Sequence, residues 1–190
     1  MLALAAHTHL FWLTSRAAGT AALLLSSASV GVGLMMGGRL VQRRGPDMRV
    51  THEALSLATM VALVVHAVVL LGDSYLHPSV ADIALPFASS FQRLWMTAGI
   101  FAGWAMIILG LSYYARTRIG MQRWRRLHRL TAVAWLLGIA HALGQGTDAG
   151  QAWFLAAAGL AVLPAFALLV IRHAGLRPRR AERKTLVVPA

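Results

Sequence analysis

The chain has 190 residues, of which 58% are hydrophobic, and its mean hydropathy of +0.63 is too high for an ordinary soluble domain. Its formal charge of +12 lies in segments that flank long apolar blocks, a pattern typical of membrane topology rather than of a nucleic-acid interface. The absence of cysteine excludes disulfides, iron–sulfur clusters, thiolate zinc sites and thioether-linked heme.

The first two apolar blocks predict membrane-spanning helices, because about twenty apolar residues are needed to cross roughly 30 Å of hydrocarbon. Span 1 is predicted from Phe11 to Met36 and contains Arg16. The residues before it lack the features of a cleaved secretory signal, so we expect span 1 to be retained. After a basic loop, span 2 is predicted from Thr51 to Leu71, with Thr51 capping its start.

Three further spans follow a longer loop. We predict span 3 from Arg93 to Tyr113, span 4 from Arg126 to Gly144, and span 5 from Ala152 to Ile171. A basic segment closes the chain. The sequence therefore predicts an all-α integral membrane bundle of five transmembrane helices over residues 1–175, followed by a basic cytoplasmic tail over residues 176–190.

The distribution of basic residues predicts the orientation of the bundle. Sixteen of the 18 Lys and Arg residues lie on alternate connections, which the positive-inside tendency assigns to the cytoplasm. They are Arg39, Arg43, Arg44 and Arg49; Arg116, Arg118, Arg123, Arg125, Arg126 and Arg129; and Arg172, Arg177, Arg179, Arg180, Arg183 and Lys184. We therefore expect the N-terminus outside and the C-terminus inside.

Two of the spans carry a pair of histidines each. Span 2 has His52 and His66, and span 4 has His128 and His141. Since spans 2 and 4 are parallel, and fourteen and thirteen residues rise about 21 and 19.5 Å, the histidines pair by depth as His52/His128 and His66/His141. Ionisable residues inside spans indicate a function, and each pair could provide both axial imidazoles of one heme iron.

The rotation of these histidines about the helix axis is less regular. Fourteen residues keep His52 and His66 on one face, but thirteen leave His128 and His141 about 140° apart on an ideal helix. Uneven winding near Gly138, a π-bulge, or an irregular first turn at His128 would each correct this. Two other interpretations of the four histidines stay open: hydrogen-bonded residues without a cofactor, and a metal-transport path.

The spacing H-x13-H in one span and H-x12-H two spans later resembles the ferric reductase-like transmembrane domain family. That family includes the membrane cores of NADPH oxidases and ferric reductases and the heme subunit of bacterial methionine-sulfoxide reductase. The segment RWRRLHRLTAVAWLLGIAHAL is similar to the second ligand helix of the family. WLTSRAAGTAALLL and LLGDSYLHPSVADIALPFASSF resemble bacterial members that consist of the membrane core alone.

The resemblance implies two non-covalent b hemes, ligated by His52, His66, His128 and His141, that carry electrons across a membrane. We expect no flavin or nucleotide domain within this chain, so the resemblance implies a separate donor, either a cytoplasmic flavin reductase or a quinol. The implied acceptor on the outer side is ferric iron, oxygen or a protein. We expect an electron-transfer subunit in the inner (plasma) membrane of a bacterium, without a nucleic-acid partner.

Several other residues are candidates for contact with the cofactors. Arg16 would meet an outer heme propionate or extend to the outer surface, and Arg93 would meet the same heme or mark the membrane edge. Arg126 and Arg129 flank His128, where inner propionates and topological charge explain them equally well. The competing functional hypothesis is a heme-binding or assembly subunit with no net redox reaction of its own.

Overall fold

The computed structural model describes residues 2–38 and 46–174. Within these ranges five helices are long and apolar enough to cross a membrane, which confirms the predicted five-helix membrane bundle. Part of the first basic loop, with Arg39, Arg43 and Arg44, lies outside the described residues, as does the predicted tail at 176–190.

In the described ranges the chain forms eight helices. They are α1 (Leu2–Gly38), α2 (Pro46–Leu70), α3 (Val80–Ala84), α4 (Arg93–Leu111), α5 (Arg116–Ile119), α6 (Met121–His128), α7 (Thr131–Gln145) and α8 (Ala152–His173). Spans 1, 2, 3 and 5 correspond to α1, α2, α4 and α8. Span 4 is divided into α6 and α7, and this division determines the geometry of the site.

The start of α2 differs from the sequence prediction. The helix begins at Pro46, where a proline is well tolerated because its missing N–H would have no partner in the first turn. Thr51 therefore lies in the second turn and does not cap the helix. Its hydroxyl donates to the carbonyl of Asp47 instead, at 2.7 Å.

The connections around α4 fold back onto it. The indole of Trp104 donates to the Ala84 carbonyl at the end of α3 (2.9 Å), and the Phe87 amide donates to the Thr97 hydroxyl (3.0 Å). At the other end of α4, Gly120 separates α5 from α6 with a φ of 88°, which a residue with a side chain rarely adopts. Short helices therefore lie on both sides of α4 in the chain, α3 before it and α5 and α6 after it.

The bundle is built from two antiparallel helix pairs and a fifth helix. The close pairs are α1 with α2 and α4 with α7, and α1 also packs against α8 and α7. A small core forms where Leu23 of α1 meets Phe154 and Ala158 of α8. Large apolar side chains such as Leu160 and Leu94 remain mostly exposed, as expected for helices that face lipid.

Candidate functional site

The four span histidines meet as two ring pairs. His52 faces His128 with ring centroids 6.1 Å apart, and His66 faces His141 at 6.4 Å. The rings are nearly perpendicular, with interplanar angles of 89° and 72°. These are the two pairs that matching depth predicts.

The helices that carry the paired rings are held apart. α2 packs closely against α1, and α7 packs closely against α4, but α2 and α7 are not themselves a closely packed pair. The histidine rings of α2 therefore meet those of α6 and α7 where the two helix pairs adjoin.

The separation of the rings fits a shared metal ion. Two imidazoles bound on opposite sides of one metal, each about 2.0 Å from it, have ring centroids roughly 6.3 Å apart. The observed 6.1 and 6.4 Å lie on either side of that value. Edge-to-face ring pairs have centroids about 4.5–7 Å apart, so each pair makes an ordinary edge contact and also has the separation that a shared metal ion would need.

Backbone carbonyls fix the tautomer of three histidines. In each case Nδ1 lies within hydrogen-bonding distance of a carbonyl oxygen, and since a carbonyl only accepts, Nδ1 carries the proton. The bonds run from His66 to Ser15 (2.7 Å), from His52 to Ser29 (2.9 Å) and from His141 to Trp95 (2.8 Å). The Nε2 lone pair is then free, as a metal-ligating histidine requires.

His128 occupies the break between α6 and α7. The helix ends at His128, and the amides of Leu130 and Ala132 bond three residues back, to Leu127 and Arg129, as in a 3₁₀ turn. Tighter winding adds about 20° per residue and reduces the rotational offset between His128 and His141. Of the three corrections expected from the sequence, the structure has the irregular turn at His128.

The surroundings of His128 differ from those of the other three. Its Nδ1 is buried, and the backbone acceptor that faces it is the Leu109 carbonyl, although the contact lacks regular hydrogen-bond geometry. The ring stacks on Trp124, one turn earlier, with centroids 5.0 Å apart and planes 23° from parallel. The indole nitrogen of Trp124 is also buried without a partner among the described residues.

Arg16 has a counter-charge within the protein. Its Nε and Nη2 both donate to the carboxylate of Asp148, which is almost fully buried in the turn before α8. The guanidinium also lies over the Trp12 ring, 4.7 Å from its centroid. The expected contact of Arg16 with a heme propionate stays a prediction.

The other predicted arginines lie at the margins of the bundle. The Nε of Arg93 donates to the Phe87 carbonyl (3.0 Å), and the side chain is exposed. Arg126 and Arg129 flank the break at His128, and both are exposed. Within the described ranges neither side chain forms a hydrogen bond or an ion pair. Their roles toward a cofactor therefore stay predictions.

Trp135 occupies the level between the two histidine pairs. It is 1% exposed, and its indole nitrogen donates to the hydroxyl of Ser27 on α1 at 3.0 Å. On the α2 side, Met60 packs over Gly110 of α4. The level between the histidine pairs is therefore filled by packed side chains.

The acidic loop between α2 and α4 has local structural roles. Asp73 accepts from the amides of Tyr75 and Leu76, and Asp82 forms a reciprocal capping box with Ser79 at the start of α3. Hydrogen bonds from the Ser79 hydroxyl and amide hold the pKa of the Asp82 carboxyl below its usual value. Among the described residues, no three His, Asp or Glu side chains are grouped to hold a metal ion.

The residues that hold the histidine rings are absent from the sequence-predicted site. They are Ser15, Ser29 and Trp95, which accept from Nδ1, and the glycines on which the rings lie. Backbone acceptors leave little trace in a sequence. The one available signal is a serine followed four positions later by a glycine, which occurs three times in α1 and meets a histidine in two of them.

A family model described as the ferric reductase like transmembrane component matches residues 18–139. The match covers more than half of the chain, so the chain belongs to the ferric reductase-like transmembrane family, as the histidine spacing indicated. It includes His52, His66 and His128 and ends two positions before His141. Neither a curated protein nor a solved structure gives a significant match.

Proposed function

We propose that this member of the ferric reductase-like transmembrane family is a membrane cytochrome b with two non-covalent b hemes. His52 and His128 would hold one heme, and His66 and His141 the other. The observation that carries the proposal is the ring separation of 6.1 and 6.4 Å, which suits an iron atom between each pair. The carbonyls that accept from Nδ1 support it, because they leave Nε2 free for the metal.

The chain would hold and orient the hemes through its own packing. Each heme, when bound, supplies a one-electron carrier whose potential depends on axial ligands, burial and hydrogen bonds. The two ring pairs are separated by fourteen residues of α2, which corresponds to about 21 Å. Pairs of ligands at two levels, with Trp135 buried between them, support a relay along the bundle axis rather than a single closed site.

The direction of the bundle and its redox partners are part of the proposal. The arginines of the α4–α6 connection support a cytoplasmic position for the His52/His128 end, in the inner membrane of a bacterium. The donor would be a cytoplasmic flavin reductase or a quinol on that side. The acceptor on the outer side would be ferric iron, oxygen or a protein.

The function is tested by electron transfer across a sealed membrane. Full-length protein is reconstituted into vesicles that contain ascorbate, and ferricyanide is added outside. We expect ferricyanide reduction that requires the protein and is lost in His66→Ala. Vesicles that hold fully loaded protein yet transfer no electrons would contradict the relay and favour a heme-binding subunit without its own redox reaction. Protein without heme that conducts divalent cations would favour the metal path instead.

A further inference from the structure

The first helix carries a pattern that matches the histidines of the second. Three serines of this helix are each followed four positions later by a glycine, and two of them, Ser15 with Gly19 and Ser29 with Gly33, recur fourteen positions apart. The third, Ser27 with Gly31, binds Trp135 and faces no histidine. His52 and His66 on α2 are also fourteen positions apart. Because α1 and α2 run in opposite directions, Ser15 meets His66 and Ser29 meets His52.

Each serine binds its histidine at more than one atom. Nδ1 of His66 donates to the Ser15 carbonyl at 2.7 Å, and the Ser15 hydroxyl lies 3.1 Å from the same nitrogen. That hydroxyl donates in turn to the His66 carbonyl at 3.0 Å. The ring nitrogen and the backbone of His66 are thus both tied to Ser15.

Ser29 is connected to both the ring and the backbone of His52 as well, but it reaches the backbone through the hydroxyl of Ser56. Nδ1 of His52 donates to the Ser29 carbonyl at 2.9 Å, with the Ser29 hydroxyl 3.2 Å away. The Ser29 hydroxyl is 2.9 Å from that of Ser56, which donates to the His52 carbonyl. The two arrangements on α1 therefore share one design.

The glycines give the rings room to lie against α1. A Cβ atom on Gly19 would be 2.9 Å from Nδ1 of His66, and one on Gly33 would be 3.1 Å from Cε1 of His52. Real Cβ contacts are essentially never as short as the first, and nine in ten are longer than the second. A side chain at position 19 would push the ring away from its carbonyl, and one at position 33 would make the ring move by a few tenths of an ångström.

Helix α4 repeats the arrangement for a third histidine. Nδ1 of His141 donates to the Trp95 carbonyl, and a Cβ atom on Gly99, four positions later, would be 2.6 Å from the same nitrogen. Here the residue at the first position is not a serine, so the shared elements are the carbonyl and the glycine. α4 therefore contacts a histidine of α7 in the same way that α1 contacts the histidines of α2.

The fourth position departs from the pattern. The Leu109 carbonyl, fourteen positions after Trp95, is the backbone acceptor that faces Nδ1 of His128, although the contact lacks regular hydrogen-bond geometry. Tyr113 stands where the pattern would have a glycine. The Tyr113 ring contacts Trp124, and Trp124 stacks on His128. His128 therefore has the carbonyl without the glycine, and its ring stacks on an aromatic neighbour.

We propose that the carbonyls of Ser15, Ser29 and Trp95, each followed four positions later by a glycine, are positioning seats for three histidines. The seats hold His66, His52 and His141 with the proton on Nδ1 and with Nε2 unprotonated. His128 has a carbonyl without the glycine, and it is the one ligand whose ring stacks on a tryptophan. The tautomer part of the proposal is independent of heme, whereas its redox consequence rests on the proposed function.

The tautomers are measured by ¹⁵N NMR on the full-length chain purified from heme-depleted cells. We expect protonated Nδ1 and unprotonated Nε2 for the three seated histidines. Single His→Gln variants assign the signals. A proton on Nε2 in any seated ring would overturn the proposal whether or not the protein binds heme.

A set of glycine variants tests the seats in protein purified with heme. Gly99→Ala and Gly19→Ala should each lower the content from two hemes to one, because the added methyl group displaces a ring of the His66/His141 pair. Gly33→Ala, with its longer contact, should keep both hemes and shift the midpoint potential of the His52/His128 heme alone. Matched controls are Gly103→Ala, which has no neighbour within 4 Å, and Gly31→Ala, which makes only an ordinary contact.

The serine hydroxyls are tested separately from the carbonyls. Ser15→Ala keeps the carbonyl and should retain both hemes while it shifts the potential of the His66/His141 heme, and Ser29→Ala should shift only the other. Ser15→Thr, which keeps a hydroxyl, should restore the wild-type potential. Equal behaviour of the seat glycines and their controls, or shifts at the wrong heme, would contradict the proposal.

Discussion

The guanidinium of Arg16 holds the carboxylate of Asp148 with two of its nitrogens, which joins the middle of α1 to the turn between α7 and α8. Asp148 is only 3% exposed, so the pair neutralises a charge that would otherwise be unpaired inside the bundle. Bidentate geometry of this kind is among the stronger side-chain contacts. The pair fixes α1 relative to α7 and α8.

We predict that Asp148→Asn destabilises the protein, because it leaves the Arg16 charge unpaired. The expected loss is about 2 kcal/mol, below the ~3–5 kcal/mol of a fully buried pair because Arg16 is partly exposed. Thermal unfolding in detergent measures it, with Asp47→Asn as a control at an exposed acid. Equal melting temperatures for the two variants would show that the ion pair contributes little to stability.

A second prediction concerns Trp135, which is buried against α1. Trp135→Phe removes the hydrogen bond to Ser27 and leaves space for the missing ring atoms, so we expect a loss of about 2 kcal/mol. The same replacement at Trp153, which is 53% exposed, should change stability little. If the two variants unfold alike, Trp135 does not have the packing role that its burial indicates.

Most of the fold could be predicted because it depends on sequence features that extend over about twenty residues each. Long apolar blocks with basic flanks specify five helices whatever the details of packing. The start of α2 was not predicted correctly, because Pro46 and Asp47 are as good a helix start as Thr51 and come first. The thirteen-residue spacing predicted an irregularity between His128 and His141 but did not choose among three places for it, and the structure has it at His128.

The histidine pairs could be predicted from depth alone, but the residues around them could not. The bonds to Ser15, Ser29 and Trp95 use backbone carbonyls, which every residue possesses. The partner of Arg16 depends on a turn that brings Asp148 back to α1. Both features arise from tertiary packing, which a pattern of apolar residues does not specify.

A third prediction tests the orientation of the bundle. The chain has no cysteine, so a single introduced thiol reports one position. Ser74→Cys, in the exposed loop after α2, should react with a membrane-impermeant maleimide in intact cells, whereas Thr117→Cys, exposed in α5, should react only after permeabilisation. The reverse pattern would invert the proposed topology.

A fourth prediction separates the two heme sites. His66→Ala should remove one heme and leave the His52/His128 heme with unchanged absorption bands, because the ring pairs share no residue. The exposed His173 provides the control, and His173→Ala should keep both hemes. Loss of both hemes in His66→Ala, in protein that remains folded, would contradict independent sites.

The central claim is tested most directly by the visible spectrum of the purified protein, oxidised and dithionite-reduced, with heme quantified per chain. We predict two b hemes per chain with the bands of low-spin iron bound by two imidazoles. Protein from heme-supplied cells that contains no heme, or heme whose iron is high-spin, would contradict ligation by the His52/His128 and His66/His141 pairs.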